Sequence, residues 1–151
     1  SMEPAHAVED MVWAEDRLGP ERIRGAYSWR NLRRAGASLV FNSDLPGSDW
    51  NVFYGMHAAM TRRNKERKPP NGWYTEQALT AEETVRAYSK WASFVSFTES
   101  QSGMIEAGRW ADLTVMSIDP FMLESRDPGR ILDGEIVATI VQGKIVYQAG
   151  L

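Results

Sequence analysis

The sequence predicts an α/β chain in two parts, with a helix-and-strand front and a small antiparallel β unit behind it. Three observations predict this. Helical spacing over 20–35 runs through Gly36 into the apolar run 37–41 and a polar turn, Asn42-Ser43-Asp44. Helix, tight turn and buried strand in that order make an α/β unit. Thr80, with Glu83 three residues on, has the form of a capping box opening a second strong helix. Beyond Gly103 the apolar stretches shorten to strand length.

Each element has its own local reason. Residues 7–18 read as a helix with Val8, Met11 and Val12 on one side, stopped by Gly19-Pro20. A second helix from Pro20 or Glu21 to Ala35 carries Ile23, Ala26, Tyr27 and Leu32, and Gly36 suits its C′ position. Residues 37–41 (ASLVF) read as a strand buried on both faces, as in a parallel sheet. Residues 51–61 can form a further helix through Val52, Met56, Ala59 and Met60. The run RRNKERKPPN reads as an exposed loop closed by Pro69-Pro70 and Gly72. From Thr80 the spacing of Ala81, Val85, Tyr88, Ala92 and Val95 carries a helix to about Ser100. Residues 104–105, 111–118, 135–141 and 144–147 are the β-rich pieces. In the second of these Leu113 and Val115 alternate with Asp112 and Thr114, the pattern of a half-buried strand. Gln142-Gly143 reads as a two-residue hairpin turn. The boundary expected near Gly103 divides the chain into 1–102 and 103–151.

Composition sets outer limits. The chain has 151 residues, 43% hydrophobic and 25% charged, with a formal net charge of −3. That balance is globular. No apolar run approaches the roughly 18 residues of a membrane helix, and 1–10 carries no signal-peptide pattern. The absence of cysteine excludes disulfides, thiolate metal sites and a cysteine nucleophile within this sequence, and fits a reducing, cytoplasmic compartment. Only His6 and His57 supply imidazole. A complete (β/α)₈ barrel needs about 250 residues, so this sequence is too short to hold one.

The candidate chemistry is sparse. Asp44 follows the predicted buried strand and precedes Pro46-Gly47. A carboxylate at the C-terminal end of such a strand can ligate a metal or accept a proton; equally, it can hydrogen-bond its own turn. His6, in Met2-Glu3-Pro4-Ala5-His6, suits either a pocket loop or an ordinary helix start. His57, inside Gly-Met-His-Ala-Ala, reads as packing. The cluster Arg62, Arg63, Lys65, Arg67 and Lys68 resembles a nucleic-acid patch, but no aromatic interleaves with it and the chain is net acidic, which favours a solvated loop. The six tryptophans, spread over every segment, read as packing anchors.

Taken together, SMEPAHAVEDMVWAEDRLGPER, YSWRNLRRAGASLVFNSDLP, GWYTEQALTAEETVRAYS, GMIEAGRWADLTVMSIDP and TIVQGKIVY resemble the C-terminal part of a metal-dependent amidohydrolase of the amidohydrolase-3 type. The resemblance spans essentially the whole chain. It implies strands seven and eight of a TIM barrel with their helices, then C-terminal strands of a β-sandwich domain. It also implies hydrolysis of non-peptide C–N bonds of a small molecule by a water activated on a divalent metal, commonly zinc. Asp44 matches the Asp after strand eight and would ligate metal and accept a proton; the pattern commonly has Gly where Asn42 stands. His6 matches the Gln-Pro-x-His motif after strand seven, with Glu3 in place of Gln, and is carried over as a substrate-pocket residue. The family's His-x-His, strand-four ligand and later pair of histidines have no counterpart here.

The sequence is therefore expected to be a piece of an enzyme, inactive and metal-free alone while its intact parent is active. The alternative is a non-catalytic binding or structural module derived from an amidohydrolase. Neither nucleic acid nor a membrane is an expected partner. Exposed strand edges would favour a homo-oligomer or a domain swap.

Overall fold

The computed structural model describes residues 1–150. Helix α1 spans Pro4–Arg22 and is broken at Gly19, whose φ of 76° is non-helical; Pro20 follows and one short turn completes the helix. Gly19-Pro20 therefore stops the first helix as expected. The predicted face turns inward at Val8 and Met11 but not at Val12. Ala5, Ala7, Val8 and Ala14 are buried, whereas Val12 is 76% exposed.

The predicted second helix is interrupted. A 3₁₀ turn, Ile23–Gly25, is followed by extended Ala26 and left-handed Tyr27, and only Trp29–Arg34 forms α2. Tertiary bonds hold the break. The Tyr27 carbonyl accepts from Arg62 Nη1 at 3.2 Å, and the Tyr27 hydroxyl donates to the Asp10 carboxylate. The end of α2 follows the sequence: Gly36 (φ 90°) sits at C′, with Ala37 N–H donating to Leu32 O and Gly36 N–H to Arg33 O, both 3.0 Å. Those two bonds are a Schellman cap.

The expected buried strand is realised only at its tip. Residues 37–41 form no regular strand, and among the described residues their one ladder contact is a parallel bridge between Met2 and Phe41. Leu39 and Phe41 are buried, Val40 is half-buried and Ser38 is exposed. A strand buried on both faces needs neighbours on both edges. Here one neighbour contributes Met2 alone, and on the other side the Phe41 N–H donates to the Ala87 carbonyl at the end of a helix.

Helix α3, Val52–Thr61, starts at Asn51, whose side chain accepts from Phe53 N–H at 2.9 Å. It is the most buried helix. Phe53, Tyr54, Met56, His57, Ala58 and Ala59 are all enclosed. After the turn Thr75–Gln77, helix α4, Ala81–Tyr88, opens on the predicted capping box: Glu83 N–H donates to Thr80 Oγ1 at 3.2 Å and Thr80 N–H to Glu83 Oε2 at 3.1 Å. Glu83 also takes Arg30 of α2 at 2.8 Å. The helix predicted to continue to about Ser100 breaks at Ser89, and α5 is Lys90–Val95. The Ser89 hydroxyl donates to Val85 O at 2.6 Å, a back-bond that competes with the helix ladder.

The remainder forms one three-stranded antiparallel sheet in the order β1 (Leu113–Met116), β2 (Ile136–Val141), β3 (Lys144–Gln148). Leu113 faces Ile140 and Thr139 faces Tyr147. The hairpin turn is as predicted, with Gln142 at φ 49° and Gly143 at φ 77°. A bulge between Val115 and Met116 shifts the β1 register, and Val115, expected inward, is exposed. Residues 104–105 form no strand. Between β1 and β2 lie helix α6, Pro120–Arg126, and a 3₁₀ turn, Pro128–Asp133. The Asp119-Pro120 pair, a cap followed by proline at the first helical position, was their available signal.

The core has three patches. The largest packs α1, Trp29, Leu39, Phe41, Trp73 and Leu79 together. A second joins Ala5 and Val8 to Tyr54 and Ala58. The third sets Phe53, Met56 and Ile131 against Met116, Ile118, Leu123 and Ile136, and so ties α3 to the sheet. Among the described residues no helix is long and apolar enough to cross a membrane.

Candidate functional site

The parallel bridge between Met2 and Phe41 brings two chain segments level at their C-terminal ends. Met2 N–H donates to Val40 O at 2.8 Å, and Asn42 N–H donates to Met2 O at 3.2 Å. The next residues in each segment, Glu3 and Asn42, meet directly: Asn42 Nδ2 donates to Glu3 Oε1 at 2.9 Å. The same nitrogen donates to Ser1 Oγ at 2.7 Å.

Asp44 lies two residues beyond Asn42 and is exposed. Its φ is 52°, in the left-handed region where Asp is tolerated better than most residues. Its N–H donates to Asn42 Oδ1 at 2.8 Å, closing an Asx turn. The Gly47 N–H donates to the Asp44 carbonyl. A Cβ on Gly47 would lie 2.8 Å from both Asp44 O and Asp44 Oδ2, so the loop closes only over glycine. Among the described residues the Asp44 carboxylate itself forms no ion pair and accepts no hydrogen bond.

His6 sits in the first turn of α1. Its N–H donates to Glu3 O at 3.2 Å, and its Nδ1 is 4.0 Å from Glu3 Oε2. The two sequence-predicted residues thus stand at the same end of the paired segments, with Glu3 and Asn42 between them. Sequence reasoning treated those two only as departures from a pattern. Their contact joins residues 39 apart, a separation that local pattern does not reveal.

Beside the strand ends is a cavity of about 290 Å³ lined by Phe41, Asn42, Ser43, Trp50, Gly55 and Tyr88, among others. Neither His6 nor Asp44 lines it. Tyr88 carries its hydroxyl against Gly55, and burial pushes that hydroxyl's pKa up, so it stays a neutral donor. Helical spacing marked Tyr88 as a core residue and left its polar end unread.

The other candidates are structural. His57 is fully buried, with Nε2 3.3 Å from Thr61 Oγ1. Burial lowers its pKa, against the backbone near Pro128 and Asn64, which favours the charged ring. The basic run is not uniformly solvated. Arg62 is 0% exposed, held by Trp73 O at 2.9 Å and stacked on two indoles. Lys65 pairs with Asp49, and Arg67 with Asp133 at 2.9 Å. Nor are all six tryptophans anchors. Trp29 and Trp73 are buried, but Trp13, Trp50 and Trp110 are exposed.

The donor set meets a metal only part-way. The free Asp44 carboxylate on its fixed turn suits a single ligand position. Among the described residues, no group of three or more His, Cys, Asp or Glu stands close enough to hold an ion.

Comparison with known proteins identifies the family. The model of the Amidohydrolase family matches residues 1–147. The chain is 29% identical over 147 residues to the putative amidohydrolase YtcJ of Bacillus subtilis (strain 168), covering 97% of this chain and 27% of that protein. It is 28% identical over 119 residues to the N-substituted formamide deformylase of Arthrobacter pascens, covering 79% of this chain and 21% of that protein. The fold is similar to a crystal structure of a Xaa-Pro dipeptidase with bound methionine, at a TM-score of 0.62 and 16% identity over 97% of this chain and 34% of that one. The chain therefore spans about a quarter of the length of the curated relatives it matches. On the family match over nearly its whole length, the chain belongs to the amidohydrolase family.

Proposed function

We propose that these residues are the C-terminal part of a metal-dependent hydrolase of non-peptide C–N bonds. In this reading 1–102 hold the last two strands and helices of a (β/α)₈ barrel, and 103–151 hold the closing strands of a β-sandwich. One relative is named as an N-substituted formamide deformylase, and a small amide of that general kind is the substrate class we assign.

The observation that carries the reading is the level pairing of Met2 with Phe41, which leaves Glu3, His6 and Asp44 at one end of two parallel segments. Barrel enzymes place their chemistry at the C-terminal ends of strands. A divalent cation, of which zinc is our choice, would polarise water and the substrate carbonyl there. Asp44 would supply one ligand and hold the proton removed from water. His6 would contact the substrate. The remaining ligands would come from residues outside this sequence, so the 151 residues alone should not turn over substrate.

The test is Asp44→Asn in the full-length protein. The expected result is loss of most bound zinc and at least about a hundredfold loss of kcat, with an unchanged far-UV spectrum. Wild-type turnover and metal content in that variant would overturn the assignment.

A further inference from the structure

We infer that Asn42 is a positioning residue, whose carboxamide locks the Asp44 turn to the end of the neighbouring parallel segment through Glu3. The inference rests on the reading of Asp44 given above. Its geometry stands on three bonds made by one side chain: Nδ2 to Glu3 Oε1 at 2.9 Å, Nδ2 to Ser1 Oγ at 2.7 Å, and Oδ1 from Asp44 N–H at 2.8 Å.

An Asx turn needs only the last of these. The bond to Glu3 fixes which way the amide faces, whereas the Ser1 hydroxyl can either donate or accept. A carboxamide has a donor end and an acceptor end of nearly equal size. Turned over, the Asn42 side chain would set its NH₂ against the Asp44 N–H and its carbonyl oxygen against the Glu3 carboxylate. Both contacts would then be repulsive. Glu3 accepts only, so it selects the orientation in which Oδ1 meets Asp44. The φ of 52° at Asp44 is a conformation L residues adopt reluctantly, and the Asx bond is what holds it. The backbone supplies the alignment: Asn42 N–H to Met2 O at 3.2 Å keeps the two segments level, so that Glu3 arrives opposite Asn42.

The test uses the full-length protein with four substitutions: Asn42→Ala, Asn42→Ser, Glu3→Ala and Glu3→Gln. Two readouts are taken at fixed pH. The first is hydrogen–deuterium exchange of the peptide containing Asp44 in the metal-free protein. The second is zinc affinity. Asn42→Ala and Glu3→Ala should each speed exchange at the turn and weaken zinc binding by about tenfold or more, as loss of a ligand-orienting contact does. Their double variant should be no worse than Asn42→Ala alone. Glu3→Gln keeps an acceptor oxygen and should stay close to wild type. Asn42→Ser keeps a short acceptor for the turn but cannot reach Glu3, and should fall between.

Wild-type exchange at the turn in Asn42→Ala would overturn the inference, as would additive losses in the double variant. Asp44→Asn serves as the control for the metal reading. If it binds zinc like wild type, that reading fails, and the exchange readout alone then decides the role of Asn42.

Discussion

The guanidinium carbon of Arg62 lies 4.4 Å from the centroid of the Trp29 ring, and the whole Arg62 side chain is shielded from solvent. It caps the end of α3 in a left-handed conformation, φ 57°. From there it holds Trp73 O and Tyr27 O and faces a second indole, Trp73, at 5.2 Å. Burial pushes its pKa down to about 10, so it remains a cation at neutral pH. Arg62→Ala should destabilise the protein by about 3 kcal/mol or more, because it leaves a void beside two indoles and the Trp73 carbonyl without a donor, while the Tyr27 carbonyl keeps only the Trp29 N–H. Arg62→Lys should lose roughly half as much, since one ammonium cannot serve both carbonyls as the planar fork does. Urea denaturation measures both; losses within about 0.5 kcal/mol, the range of ordinary surface substitutions, would show that the stack is incidental.

Gly55 and Tyr88 form a second close pair. A Cβ on Gly55 would fall 2.0 Å from the Tyr88 hydroxyl oxygen. Gly55→Ala should therefore destabilise by about 1–3 kcal/mol, the usual cost of overpacking. Tyr88→Phe removes the clashing oxygen and should recover part of that loss in the double variant. Additive losses in a thermal-melting cycle would count against the contact.

His57 gives the fold an acid-side weakness. Its folded pKa is below the ordinary value of 6.5, chiefly through burial. The unfolded chain then binds the extra proton first. Stability is full above about pH 6.5 and falls as pH drops toward the folded pKa, with a slope of at most about 1.4 kcal/mol per pH unit for one proton. Denaturation midpoints taken from pH 7.5 to 5 should show this slope, and His57→Gln should flatten it. An equal slope in the variant would place the titrating group elsewhere.

The sheet exposes its last strand completely. Every residue of β3 is exposed, with Ile145 and Val146 at 61% each. An apolar edge of this kind is a template for pairing. The 151 residues expressed alone should self-associate, and Ile145→Lys with Val146→Lys should shift them toward monomer by light scattering. A monodisperse wild-type monomer at about 100 μM would refute this.

What could be read before the structure was local. The Thr80–Glu83 box, the Gly36 cap and the Gln142-Gly143 turn all formed as expected, because each depends on a few neighbouring residues. The same locality misled over 20–35 and 80–100. Helical spacing continues through Tyr27 and Ser89, but one carbonyl is taken by Arg62 and one hydroxyl back-bonds to Val85. Asp44 stands out as a candidate because a carboxylate after an apolar run is itself a sequence feature. Glu3 and Asn42 were not recognised as a pair, because their meeting depends on two segments running level.

The sequence by itself determined the family, the capped helix at Thr80, the closing β-hairpin, and the composition limits set by two histidines and no cysteine. These follow from residue identity and short-range backbone preference. Tertiary structure decided that Arg62 is a core cation rather than part of a solvated patch, and that 37–41 pairs only at Phe41. It also decided that Asn42 ties the Asp44 turn to Glu3. Each of these depends on which groups lose water together and which backbone donors find partners, and sequence spacing does not encode that.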